Sequence, residues 1–232
     1  PGVSPSAQTL GRTSHMPSVI SHIAVPIAGR VAFGRDFVAA KLLTLGLFLS
    51  MLPDADVLLL RLGVAYDSPF GHRGASHSLA FAVFAASIAA AIYSRSTARP
   101  ALGPWLYLLV CAASHPLLDT CTNAGHGAAL LWPLSEERFF APLRPIEASP
   151  LSLRRFFGEP GLRVLLSELL WVWLPFLAIA FAWRQRRAQC GLTLRSWGLP
   201  PARHLARVAV VLIIGLAGQA PSRRQPLSSN VR

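Results

Sequence analysis

Apolar residues fill six stretches of this chain: Val19 to Phe33, broken by Pro26 and Gly29, then Phe37 to Leu52, His77 to Tyr93, Ala101 to Leu118, Val164 to Trp183 and Leu205 to Ala217. The third, fourth and fifth approach the roughly 20 residues that a helix needs to cross a bilayer. The others are short or interrupted, so tilt, re-entrance or flanking residues must make up the thickness. Val57 to Val64 is too short to span and reads as an interfacial piece or part of a broken helix. Composition agrees: 53% of residues are hydrophobic and 14% charged, against about a quarter charged in a soluble domain. The same arithmetic excludes disorder. The net charge of +12 comes from 22 basic and 10 acidic residues. In so apolar a chain it points to membrane lipids as partners, and no nucleic-acid partner is expected. Cys111, Cys121 and Cys190 lack the spacing of a disulfide framework or a cysteine zinc site. The expectation is an all-α, multi-pass transmembrane helical bundle of about five or six spans.

Residues 1–15 have no apolar core and precede Met16, so they read as a disordered tail or a start placed too early. The expected membrane-embedded domain covers 16–220, followed by a flexible basic tail at 221–232. Thr120 to Arg163 is about twice as long as a simple connection needs. It contains Trp132, Pro133, Phe139, Phe140 and Pro142, and is expected to pack on the membrane domain as a cap. If six spans alternate sides, eleven basic residues fall on one side: Arg30, Arg35, Lys41, Arg95, Arg99, Arg184, Arg186, Arg187, Arg195, Arg203 and Arg207. Seven fall between spans on the other side, five of them in the long segment, where the bias counts less. The first side is therefore expected to be cytoplasmic. The long connecting segment then faces outward, together with Asp54, Asp56, His72, His77, His115 and Asp119.

Ionisable groups beside apolar spans are costly and invite a functional reading. His115 and Asp119 stand four residues apart, so one helix face carries both, as two ligands of one metal or of adjacent metals would. The alternative is a histidine capping a carbonyl beside a helix-terminal acid. In His72-Arg73-Gly74-Ala75-Ser76-His77-Ser78 the two imidazoles cannot share a helix face. The expected arrangement is His72 on a loop, Gly74 bending the chain, Ser76 near the N-cap of the next helix and His77 in its first turn. Arg73 offers a planar fork of donors for an anionic oxygen; the alternative is a loop lying against lipid headgroups. Pro53-Asp54-Ala55-Asp56 joins a helix breaker to two carboxylates, which can bind one hard cation or bridge two and would repel each other without one. The alternative is a pair of solvated acids at a helix end. His22, alone, is more often a packing residue than a ligand. The metal reading rests on the convergence of four such segments on one face.

Taken in order, His22, Leu52-Pro53-Asp54-Ala55-Asp56, His72-Arg73-Gly74 with Ser76-His77-Ser78, His115-Pro116-Leu117-Leu118-Asp119 with Thr122 and Gly125, and Leu131-Trp132-Pro133 resemble the bacterial inner-membrane metal-dependent hydrolase family, LexA-regulated or YdjM-like. Ser76 stands where that family commonly has Thr, and Asn123 where it often has Pro. The resemblance implies a multi-pass α-helical protein of the inner membrane. It also implies metal-dependent hydrolysis, with His22, Asp54, Asp56, His72, His77, His115 and Asp119 as candidate metal ligands.

On this reading a metal-activated water attacks the substrate, Asp54 or Asp56 takes its proton, and Arg73 stabilises developing negative charge. Mixed nitrogen and oxygen ligands suit Zn²⁺, with Mn²⁺ or Fe next. A site at headgroup level suits an amphiphilic lipid or a phosphorylated, phosphoester-bearing substrate. Two other classes compete: a metal or proton transporter, and a non-catalytic membrane interaction protein.

Overall fold

The computed structural model describes residues 15–16, 19–98, 100–150 and 156–189. Helices α1 (Val19–His22) and α2 (Ala24–Phe33) form one apolar rod jointed at Ile23. Helix α3 (Ala40–Met51) passes through a 3-10 turn, Leu52–Asp56, into α4 (Val57–Arg61). A second 3-10 turn, Ala75–His77, leads into α5 (Leu79–Thr97), and α6 (Leu102–Thr120) returns beside it. After the long connection, α7 (Glu159–Glu168) runs through a π-helical segment, Leu169–Trp173, into α8 (Leu174–Gln189). The strands among the described residues are two residues long: His15–Met16 pairs antiparallel with Ser149–Pro150. The architecture is the expected helical membrane bundle. Residues 1–14, the run Leu205 to Ala217 and the tail 221–232 lie outside the described residues.

Among the described residues, three elements are long and apolar enough to cross a membrane: Ala40–Arg61, Leu79–Thr97 and Glu159–Gln189. Helix α6 has the same 19 residues as α5 but packs between α3 and α5, with Ser114, His115 and Asp119 buried among them. The stretch Ile20–Phe33 is shorter. One expectation is corrected here. The runs ending at Leu52 and beginning at Val57 are a single element of 22 residues, because Pro53 removes one ladder donor and the chain tightens into a 3-10 turn without stopping. Asp54 and Asp56 therefore sit within this element and not at its end.

Packing follows the logic of helices in lipid, where close approach of small side chains replaces hydrophobic exclusion. Helix α5 buries Ala82, Ala85, Ala86, Ala89 and Ala90 and turns Val83, Phe84, Ile88 and Ile92 outward. Tyr107 of α6 wedges its ring between Gly29 of α2 and Gly46 of α3, and its hydroxyl donates to the Pro26 carbonyl at 3.1 Å. Val38, Leu42, Leu49, Leu108 and Cys111 complete this core. Beyond it, basic residues gather at one end of the bundle. Lys41 donates to Ser96 Oγ at 2.7 Å, Arg30 to the Val38 carbonyl at 3.2 Å and Arg187 to the Ala32 carbonyl at 3.0 Å. Among the described residues, Arg30, Lys41 and Arg187 of the sequence's charge split thus share one end of the bundle, and the candidate His and Asp ligands lie at the other.

A Cβ added at Gly46 would lie 2.9 Å from Tyr107 Cε1 and 3.1 Å from Cys111 Sγ. The ring is pinned from both sides and has no room to yield. Gly46→Val is expected to destabilise the fold by ~1–3 kcal/mol, whereas Tyr107→Phe, losing one hydrogen bond, costs about 1 kcal/mol; thermal unfolding in detergent ranks the two.

Candidate metal centre

Asp54 from the 3-10 turn, His77 from the turn before α5, and His115 with Asp119 from α6 bring one ligand atom each to within 4.8 Å of the others. His77 Nε2 lies 3.1 Å from His115 Nε2, 3.1 Å from Asp119 Oδ2 and 3.7 Å from Asp54 Oδ1. His115 Nε2 lies 3.4 Å from Asp54 Oδ1 and 3.7 Å from Asp119 Oδ2. Atoms held 2.0–2.2 Å from a shared tetrahedral ion stand about 3.3–3.6 Å apart. Five of the six edges of the figure formed by these four atoms thus bracket the tetrahedral value. Asp54 Oδ1 and both oxygens of Asp119 are buried without a hydrogen-bond partner from the protein; Arg73 Nε and His77 Nε2 approach Asp119 Oδ2 at 3.5 and 3.1 Å, and a bound cation would satisfy the lone pairs that remain.

The surrounding contacts fix which nitrogen faces the centre. His115 Nδ1 meets the Ser50 carbonyl at 2.7 Å. A carbonyl only accepts, so Nδ1 carries the proton and Nε2 presents its lone pair. Pro53 keeps that carbonyl available, since the residue that would bond it in a 3-10 turn has no N–H. Asp56 does the same service for two histidines. Its Oδ2 lies 3.1 Å from His77 Nδ1 and its Oδ1 2.6 Å from His72 Nδ1. It also accepts from the Arg73 backbone N–H at 3.2 Å and from the Ser76 hydroxyl. Both of its oxygens are therefore engaged, in contrast to Asp54 Oδ1. Burial disfavours charge on His77, but the carboxylates of Asp119, Asp54 and Asp56 outweigh it and hold its pKa well above the ordinary imidazole value.

All seven expected ligands lie in this one cluster. Asp54, His77, His115 and Asp119 form one group that could hold an ion, Asp56 and His72 form a second with His77, and His22 lies beside the first. His22 stacks on His115 with ring centroids 3.7 Å apart, and its Nε2 lies 3.6 Å from Asp119 Oδ1. Both His22 nitrogens and His72 Nε2 have no hydrogen-bond partner from the protein. The fork of Arg73 is occupied: its nitrogens face Asp119 Oδ2 at 3.5 Å, Thr122 Oγ1 at 3.1 Å and the Ala124 carbonyl at 3.0 Å, and the residue is fully buried.

Two local expectations change. Ser78, not Ser76, caps α5 by accepting from the Phe81 N–H at 3.0 Å, because the 3-10 turn Ala75–His77 delays the helix start and frees Ser76 for Asp56. The left-handed residue of the loop is Arg73, with φ 63. Gly74 is needed for another reason: a Cβ there would lie 2.3 Å from the Pro69 carbonyl oxygen. Arg138 was counted in the sequence only as a topology charge, yet it donates to the carbonyls of His72 at 2.8 Å and Tyr66 at 3.2 Å and so holds the His72 loop. The role of Ser50 falls to its backbone carbonyl, which leaves no mark in the sequence. The long connection does form a cap: Ala129 N–H donates to the Arg73 carbonyl and Leu79 N–H to the Leu130 carbonyl, each at 3.0 Å.

Arg73→Met would leave Asp119 buried without its cationic neighbour. The expected cost is about 3–5 kcal/mol, read as a lowered unfolding midpoint in detergent containing a chelator.

The fold and the cluster define a helical membrane protein with a buried His and Asp centre. A model of the YdjM inner membrane protein family matches residues 16–189. The chain is also 44% identical over 173 residues to the inner membrane protein YbcI of Escherichia coli (strain K12), a match covering 74% of this chain and 100% of that relative. The chain belongs to the YdjM inner membrane protein family, and its place is the inner membrane. No solved structure matches it.

Proposed function

We propose that this chain is a membrane-embedded metal-dependent hydrolase acting on an ester or phosphoester at the membrane interface. The observation that carries the reading is the set of four buried donor atoms separated by 3.1 to 3.7 Å along five edges. Asp54, His77, His115 and Asp119 would hold the ion. Two imidazole nitrogens and two carboxylate oxygens suit Zn²⁺, with Mn²⁺ or Fe next. When bound, such an ion supplies Lewis acidity, which makes water nucleophilic near neutral pH and polarises the bond to be cleaved.

The chain's own residues divide the remaining work. Asp54 is the one partly exposed side chain of the four and is placed to take a proton from an incoming water. Asp56, with both oxygens engaged, orients His72 and His77 and leaves their Nε2 atoms as acceptors. Arg73 balances Asp119 and ties it to the Thr122 to Ala124 turn, and its enclosed fork favours this positioning role over direct contact with substrate. The basic end of the bundle reads as cytoplasmic and the cluster end as outward.

A transporter would need access to the cluster from both faces in turn. Between the cluster and the basic end stand Leu42, Leu49, Tyr107, Leu108 and Cys111, all buried, which supports chemistry at one face. Elemental analysis of detergent-purified protein tests the site. His77→Ala and Asp119→Ala are expected to lose most of the bound metal, and Asp56→Asn to weaken binding about 10–100-fold. Variants that keep the parent's metal content would refute the site. Metal loss without hydrolysis of any ester or phosphoester in a panel would favour transport. Fluorescent-protein fusion after Arg187 is expected to glow, and alkaline-phosphatase activity at that point would reverse the orientation.

A further inference from the structure

We infer that the centre opens sideways into the bilayer, at the outer face of the α3–α4 element, so that its substrate is a membrane lipid that never leaves the leaflet. This deepens the hydrolase reading and rests on it for the word substrate; the route itself is readable without turnover.

Three observations carry it. First, among the described residues, the candidate ligand most open to the surroundings is Asp54. His22, His77, His115, Asp119 and Arg73 are fully buried, whereas the Asp54 side chain is 16% exposed. Second, the face on which Asp54 emerges is apolar. Its neighbours one turn away are Met51, 41% exposed, and Leu58, 60% exposed, and with Phe48 they form a stripe. That stripe belongs to a membrane-spanning element, so lipid is the medium that meets it. Asp54 stands at its edge, with Oδ1 turned inward to His77 and His115. Third, the aqueous end is partly covered, with Ala75 and Ser76 of the loop half-buried. Ala128, Ala129 and Leu130 are buried over the His72 loop, and Arg138 clamps that loop through three carbonyls. A water-soluble substrate would have to lift this cap, whereas a lipid bearing an ester or phosphoester beside its acyl chains could present it from the flank with those chains along the stripe.

The test uses photoreactive lipids. The full chain is reconstituted in vesicles of phosphatidylethanolamine and phosphatidylglycerol doped with a phospholipid carrying a diazirine on the first acyl carbons, and adducts are mapped by mass spectrometry after irradiation. Asp54 is expected to be labelled, and excess unlabelled phospholipid should compete, whereas labelling of Phe84 and Ile88 on α5 should show no saturation. Leu58→Trp, narrowing the opening, should remove most of the Asp54 adduct, and Leu58→Ala should keep it while confirming that the fold tolerates change there. Labelling of Phe48 and Leu58 with Asp54 untouched would overturn the inference, as would labelling of Asp54 by a water-soluble diazirine in intact vesicles. Failure of every hydrolysis assay would count against the reaction and leave the labelling result standing.

Discussion

The site depends on Asp56, a carboxylate that accepts from two imidazoles, a backbone N–H and a hydroxyl. Those four donors come from one six-residue stretch, so this single acid sets the path of the chain from His72 to His77 as well as the tautomers of both rings. A carboxylate buried beside hydrocarbon is stable only when its lone pairs are filled, and Asp56 achieves this within the protein. Asp54, two residues earlier, does not. The difference arises because the 3-10 turn sends the two side chains to different neighbours, one into the loop and one toward α6.

The same economy shapes the bundle. Helix α6 carries the polar load and is sheltered between α3 and α5, which present small or aliphatic residues to it and larger ones to lipid. Tyr107 locks α6 to α2 and α3 where two glycines admit its ring. With the core packed there, the cluster is confined to one end, and the cations at the opposite end find carbonyls and a serine hydroxyl.

Much of this was legible in the chain. The third and fifth apolar runs announced spans because lipid imposes a length on any helix that crosses it, whereas the second is a span only when joined to Val57–Arg61, and the fourth, α6, is not among the candidate spans. His115 and Asp119 were readable as a pair since helical spacing alone puts them on one face. His72 and His77 were readable as candidates, but not their roles: Ser76 looked like a cap, and only the 3-10 turn shows that it serves Asp56 while Ser78 caps α5. Arg73 looked like an anion binder by its chemistry, and it is enclosed because Thr122, Ala124 and Asp119 arrive from a segment some fifty positions away. Arg138 and the Ser50 carbonyl act through long-range contact with the backbone, which no local pattern encodes.

The sequence by itself determined that the chain is helical, membrane-bound and supplied with an unusual set of histidines and aspartates near apolar segments, because span length, helical period and residue chemistry are local properties. Tertiary structure decided which of those residues come within reach of one another, and that Pro53 interrupts a span without ending it. These are matters of distance between segments, fixed by how α6 packs against α3 and α5 and by a loop folded around one buried carboxylate.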